Sequence, residues 1–433
     1  MVGKGNNGES IHFQNLCGIL AISMKGTDVI KSISLTAKDV KGNKAFISGQ
    51  FSVDMGYETF PYPMPTEQSL TNVTIDCGEG VQLDSEKETY FHILLPPGTY
   101  YGLDLLITTA DARFMTLSTD KTLTVKRSVL TKTSALEFME NVGEEMIIDL
   151  SLRGNSNCYI VPSEGIYSFD ATVIGNGEFG IIPGAGFHTD IPEITPASVE
   201  LLWEDRAGLI QGYIYDPSEG RVKLVVSATE GNALIAAKDA DGTILWSWHI
   251  WATDTPIDQK YVNTAGTFTV QDRNLGATRA DRGTGDEWME SSGILYEWGR
   301  KDPFADKHYQ HSQRVTLEES IMKPTTYSIG YLDNSFWGAS KTIYDPCPVG
   351  YKVPAKEIWT GFTNTGENAS SIDDINAAGE FDYGWNLYID DQNTAWYPAN
   401  PHMGNNGPYE YHADCGHSWC STHYYLMLFD SSG

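Results

Sequence analysis

Basic residues are scarce in this chain of 433 residues: 29 Lys and Arg stand against 57 Asp and Glu, a formal net charge of −28. Binding to nucleic acid draws on clustered positive charge along the phosphate backbone, and no basic patch is visible, so a nucleic-acid partner is not expected. Long apolar runs are also missing. No stretch approaches the roughly 20 residues that span a bilayer, so no integral membrane segment is expected. Cysteine is sparse, with six residues at 17, 77, 158, 347, 415 and 420, too few for a disulfide scaffold. A signal peptide is absent from the polar, Gly-rich start, Met1-Val2-Gly3-Lys4. This opening resembles an expression start joined to a mature fragment, so an export signal is expected upstream of it. What the chain does have is apolar material, 41% of residues with 12% aromatic, enough for several cores.

That material is patterned with period two. Ile33, Leu35 and Ala37 alternate with Ser32, Ser34 and Thr36, and Phe91, Ile93 and Leu95 repeat the pattern. Side chains of a half-buried strand point alternately to core and solvent, so residues 11–141 are expected to form short antiparallel strands. Ser134–Val142, with Leu136, Phe138 and Met139, is the one helical hint there. A second β-rich segment runs from about 144 to 255 and holds the aromatic strand Ile244–Trp251. Its Trp246 and Trp248 are expected in a core rather than on a sugar-stacking platform, because indole rings bury large areas.

From about Gly266 the composition shifts, and seven of the eleven tryptophans lie beyond that point. Helices are expected to start at Pro354 and to cover Ser371–Ala378. The order of domains is therefore 1–143, 144–258 and 259–433.

Two family resemblances rest on quoted motifs. Phe13-Gln14-Asn15-Leu16-Cys17-Gly18-Ile19-Leu20, Ile33-Ser34-Leu35 and Leu95-Pro96-Pro97-Gly98-Thr99-Tyr100 resemble the N-terminal domain of the fimbrillin family of donor-strand pilins. The second resemblance spans about 266–429. It rests on Asp272-Arg273-Asn274-Leu275-Gly276-Ala277, Tyr296-Glu297-Trp298-Gly299-Arg300-Lys301-Asp302-Pro303-Phe304 and Tyr344-Asp345-Pro346-Cys347-Pro348-Val349-Gly350-Tyr351-Lys352-Val353-Pro354. Together these are similar to the "major paralogous" (FISUMP-type) surface domain, which is C-type-lectin-like.

The resemblances imply a mainly β protein: two transthyretin-like β-sandwich domains followed by an α+β C-type-lectin-like domain. They imply an exported, extracellular protein at the outer surface or on a fimbrium. The expected role is a fimbrial accessory or tip subunit that assembles by strand exchange with other fimbrial subunits. Its C-terminal module would bind a host or bacterial surface glycan or protein. A surface glycan-binding lipoprotein that never polymerises is the alternative. No arginine precedes Arg113, so any arginine-directed cleavage site is expected upstream, and the family's usual closing Arg-Cys strand has no counterpart before Gly433.

Sites follow from residue types. Trp396, Tyr397, Asn400, Asn405 and Tyr409 lie in a Gly/Asn/Pro-rich stretch read as a loop with exposed aromatics, and loops of this kind carry ligand binding. His412, Cys415, His417 and Cys420 have zinc-ligand chemistry but not the spacing of a common finger, so no metal and no cofactor are assigned. A local Cys415–Cys420 disulfide and two free thiols both remain open. Glu297, Glu287, Asp286 and Asp302 invite a glycosidase reading, but an acidic chain supplies carboxylate pairs by chance, and no catalytic residue is assigned.

Overall fold

The computed structural model describes residues 2–4, 12–53, 62–177, 180–181, 193–305, 310–312, 315–328, 336–369, 371–404, 407–410, 414–422 and 426–431. The chain is mainly β and divides into two compact units. The first is Met1–Ile148 with Ile210–Asp216, and the second is Asp149–Leu209 with Pro217–Gly433.

In the first unit one sheet runs in the order Phe114–Thr119, Leu103–Thr109, Val29–Ala37, Asn72–Gln82, every pair antiparallel. The alternation in Val29–Ala37 is realised directly, for Ile33, Leu35 and Ala37 are all fully buried. A second sheet is built on Gly18–Lys25, which pairs antiparallel with Thr89–Leu95. On its other side it pairs in parallel with Leu130–Lys132 and then Leu136–Glu137. The two sheets share one core, in which Leu20, Ile22 and Met24 pack with Phe91, Ile93 and Leu95. Full burial of each such side chain stabilises by about 1.5–3 kcal/mol relative to exposure.

Ser134–Val142 is extended, not helical. Leu136 and Phe138 both pack against the core while Met139 is exposed, a period of two that the helical reading missed. Phe138 also lies beneath the Arg113 guanidinium, 5.1 Å from the ring centroid, and Arg113 is held by Asp28 at 2.7 Å and Asp111 at 2.8 Å.

In the second unit a four-stranded sheet has the order Cys158–Val161, Ile244–Ala252, Gly231–Lys238, Ser198–Glu204. Ile244–Ala252 is an inner strand and carries Trp246, Trp248 and Trp251, all fully buried. The tryptophans are core, as the area argument expects. A second pair, Gly165–Asp170 with Arg221–Val226, brings Phe169 onto Trp248 at 5.1 Å between centroids.

Beyond residue 257 the sheets are small: Asp258–Asn263 with Gly266–Gln271, Gly384–Tyr388 with Thr394–Pro398, and Cys415–Trp419 with Leu426–Asp430. The expected helix at Pro354 is a 3₁₀ helix, Lys356–Phe362, starting two residues later. Over Ser371–Ala378 only a 3₁₀ turn, Ile372–Asp374, forms before the strand Ala377–Ala378. There Ile375 and Ala377, two apart, both face the core formed with Trp385 and Tyr397, which favours extended backbone. The α-helix among the described residues is Leu317–Met322, started by a capping box in which Thr316 and Glu319 satisfy each other's backbone N–H groups.

The 258/259 boundary falls inside the second unit, where buried hydrogen bonds connect the two sides. Asn157 is the hub. Its Nδ2 donates to the carbonyls of Ile343 at 2.7 Å and Asp345 at 2.9 Å, and its Oδ1 accepts from Trp246 Nε1 at 2.9 Å. The carbonyl of Asp345 has a further donor in Asn176, at 3.2 Å. Asn157→Ala therefore orphans the Trp246 indole N–H and the Ile343 carbonyl, each in a dry interior. The expected cost is about 2–5 kcal/mol, read as a lower midpoint for the second unit in denaturant unfolding followed by tryptophan fluorescence. An unchanged midpoint would show that the hub contributes nothing.

Candidate functional site

A cavity of about 1320 Å³ opens in the C-terminal part of the second unit. One wall is a continuous run of the chain: every residue from Thr267 to Leu275 lines it. The others come from Ile294–Trp298, Gly350–Ala355, Trp359, Trp396–Tyr397 and His417–Trp419. The three sequence motifs thus converge on one space.

Its rings are locked in place by their own polar atoms. Trp298 Nε1 donates to the Cys420 carbonyl at 3.0 Å, Trp419 Nε1 to the Tyr296 carbonyl at 3.0 Å, and Trp337 Nε1 to the Tyr344 carbonyl at 3.3 Å. Trp298 and Trp337 lie 5.7 Å apart at an interplanar angle of 57°. Tyr261 and Tyr397 share a hydrogen bond between hydroxyls at 3.0 Å, and the Phe362 ring meets Tyr397 edge to face at 4.9 Å. Such rings present large apolar area with little rotamer freedom left to lose on binding.

Charged groups around the cavity hold loops. Arg273 pairs with Asp272 at 2.8 Å, with Thr253 at 3.1 Å and with Asp254, while Asn274 donates to the Ser292 carbonyl at 3.3 Å. Behind the wall, Arg300 is fully buried and donates to the carbonyls of Thr326 at 2.6 Å and Ser320 at 3.1 Å, closing the end of the Leu317–Met322 helix. Lys301 Nζ donates to Ser247 Oγ and Asp302 Oδ1, both at 2.6 Å, and lies 4.4 Å from the Trp246 ring centroid. Burial pushes its pKa down to about 8, against the opposing pull of Asp302. This Ser–Lys–Asp cluster has the groups of a nucleophile and base, but none of the three lines the cavity. Of the four carboxylates in the glycosidase reading, Glu297 lines the cavity, Asp302 is sealed with Lys301, Glu287 is occupied by Thr284 on the surface, and Asp286 is exposed away from the cavity lining.

Trp396 and Tyr397 do not sit on an exposed loop. They belong to the strand Thr394–Pro398 and are only 8% and 9% exposed, because the register with Gly384–Tyr388 buries four consecutive residues, Ala395–Pro398. Both still line the cavity. Asn400 lines it as well, but its amide acts as a strand partner, Nδ2 donating to the His417 carbonyl at 2.8 Å and Oδ1 accepting from His417 N at 2.9 Å. Asn405 lies outside the described residues. Tyr409 is in the backbone strand Gly407–Glu410, and its side chain lies outside the described set.

Among the zinc candidates, His412 lies outside the described residues. Cys415 Sγ is 4.0 Å from His417 Nδ1, and Cys420 follows the strand Cys415–Trp419. Extended backbone rising about 3.3 Å per residue puts Cys415 and Cys420 far beyond the roughly 7 Å limit for a disulfide. Neither cysteine is in a disulfide. No group of three or more metal-ligating side chains is placed to hold a metal among the described residues.

Tyr296 and Trp298 belong to a motif that marks the lectin-like resemblance, and nothing in the sequence shows that they line a cavity with Trp419. The closeness of Tyr296 and Trp298 to the Asp272-Arg273-Asn274 motif was the available signal. A scan against protein-family models returned no match, and a search of curated proteins returned none.

His402 and His417 pack together at the cavity with centroids 4.2 Å apart and ring planes tilted by 41°. Burial, reinforced by His402, pushes the His417 pKa down to about 4. Above about pH 6.5 the imidazole is neutral folded or unfolded, so it adds no pH dependence there. Between about pH 6.5 and 4 the unfolded chain takes up a proton that the folded one does not, so stability falls as pH falls. His249, buried with a pKa of about 3, works in the same direction. Thermal melts from pH 7 to 4 should show a declining midpoint, with a shallower decline in His417→Phe; equal slopes would contradict the assignment.

Proposed function

We propose that this protein is an extracellular binding subunit, a fimbrial accessory or tip component whose C-terminal part captures a surface ligand. The reading is carried by the cavity: about 1320 Å³, walled by tryptophans and tyrosines, most of them anchored by hydrogen bonds such as those of Trp298, Trp337 and Trp419. Binding sites are concave and mostly apolar with a few placed polar groups, and this one exceeds the usual range of about 300–1,000 Å³. A ligand longer than one small ring system fits that size.

Two further observations support the assembly half of the proposal. Among the described residues, each of the two four-stranded sheets of the first unit ends on a strand with one neighbour, Asn72–Gln82 in one and Thr89–Leu95 in the other. Edges of this kind offer free backbone groups for strand addition from another subunit. The β-sandwich-like character of this unit suits the fimbrillin-type domain, and the small sheets and short helices after residue 257 suit the lectin-like one.

The test is a binding array of surface glycans and matrix proteins probed with the full chain. At least one ligand should be retained, and Tyr351→Ala, on the cavity wall, should weaken it by tenfold or more, about 1.4 kcal/mol. Retention untouched by Tyr351→Ala would move the site elsewhere, and an empty array would count against capture altogether.

A further inference from the structure

In the strand part of the cavity wall, Thr267–Gln271, consecutive residues line the space, as at an edge rather than a face. A strand lining a space with its face contributes every second residue; here every one does. Two hydrogen bonds fix the phase of that edge. Asp272 N donates to the Ile257 carbonyl, so Asp272 and Ile257 are a hydrogen-bonded pair of the Asp258–Asn263/Gly266–Gln271 ladder. Val262, opposite Thr267, turns its N–H away from that ladder to the Ile389 carbonyl at 2.7 Å. In an antiparallel pair these two kinds of position alternate, so Phe268 and Val270 bond inward. Thr267, Thr269 and Gln271 then aim one donor and one acceptor each toward the cavity side. None of them has a backbone partner among the described residues.

We infer that the cavity takes an extended segment of another polypeptide, which adds as a strand to this edge of Gly266–Gln271. The inference rests on the reading of the cavity as a binding site and names its ligand class. Only a strand offers donors and acceptors at the repeat that Thr267, Thr269 and Gln271 present. A glycan engages ring faces but leaves such a row unmatched, at a cost for each backbone group deprived of water. Alternate side chains of the added strand enter beside the partly exposed, locked rings of Tyr296 and Trp419, so an apolar-polar alternation is selected. Backbone pairing gives affinity, and those rings give the preference.

The probe is a capped nonapeptide, Lys-Thr-Val-Thr-Val-Thr-Val-Thr-Lys, titrated into the full chain by calorimetry. Two derivatives are N-methylated, one at the valines and one at the threonines. Only one phase faces the edge, so one derivative should bind about tenfold or more weakly and the other near normally. Thr269→Pro removes one outward N–H, leaves the ladder with Asp258–Asn263 intact, and should weaken binding similarly. Thr269→Ala should not, and a circular dichroism melt confirms that both variants fold. Equal effects of the two N-methyl series overturn strand addition. If no peptide binds while an array glycan binds in a Tyr351-dependent way, the strand inference fails and the cavity reading stands. If neither binds, both fail. Self-association of the chain in the ultracentrifuge, abolished by Thr269→Pro, places a second copy on the edge and overturns a foreign strand.

Discussion

The second unit depends on the buried amide of Asn157. One side chain supplies two donors to the turn at Ile343–Asp345 and one acceptor to the indole of Trp246. It joins the loop before the Cys158–Val161 strand to the loop leading into the Cys347–Pro354 cavity wall and to the inner strand Ile244–Ala252. Backbone carbonyls in a turn have no ladder to satisfy them, so a buried turn needs side-chain donors. Ser156 Oγ, donating to the Cys347 carbonyl at 3.1 Å, and Asn176 Nδ2, donating to the Thr342 carbonyl at 2.5 Å, extend the same solution along the segment. The cavity wall is thereby positioned from behind by polar groups that never reach a ligand.

Buried charge does comparable work beside it, around the same Trp246 ring. Arg300, Lys301 and Asp302 are almost wholly removed from water. Isolated, each would cost several kcal/mol in desolvation, and pairing recovers this only with good geometry. Here the geometry is saturated around Lys301, which meets Ser247, Asp302 and the face of Trp246. Hydrophobic replacements fill space equally well but do not dictate which loop sits where. The run Arg300-Lys301-Asp302 fixes the Leu317–Met322 helix and the Ile244–Ala252 strand relative to the Tyr296–Trp298 wall.

Much of the fold was legible in the sequence, for a reason particular to strands. Ile33, Leu35 and Ala37 declare their shared face within five residues, and the structure buries all three. Leu136 and Phe138 carried the same message, but Met139 beside them suggested a helix, and no local rule shows that Met139 faces solvent. The capping box at Thr316 and Glu319 was readable and passed over in a helix of only six residues. The candidate site was legible only as fragments. Asp272-Arg273-Asn274, Tyr296-Glu297-Trp298 and Tyr344–Pro354 stood out as motifs, but a cavity reaching from Tyr261 to Leu428 is a property of long-range packing. Trp396 and Tyr397 were picked for their rings and for the Gly, Asn and Pro after them. That composition belongs to the residues beyond Pro398, while the rings belong to a strand buried on both faces.

The parallel pairing in the first unit bears on how the chain acquires its shape. Gly18–Lys25 occupies the middle of its sheet and takes Leu130–Lys132 and Leu136–Glu137 alongside it in parallel. A parallel neighbour cannot arrive through a tight hairpin; the chain must travel back across the domain first. The earliest of these strands to leave the ribosome therefore waits for one of the latest, more than a hundred residues on, before its second edge is covered. Until then Ile19, Leu20 and Ala21 present an open strand edge. Contacts of such sequence separation slow folding, and they leave an interval in which a competing strand finds that edge vacant.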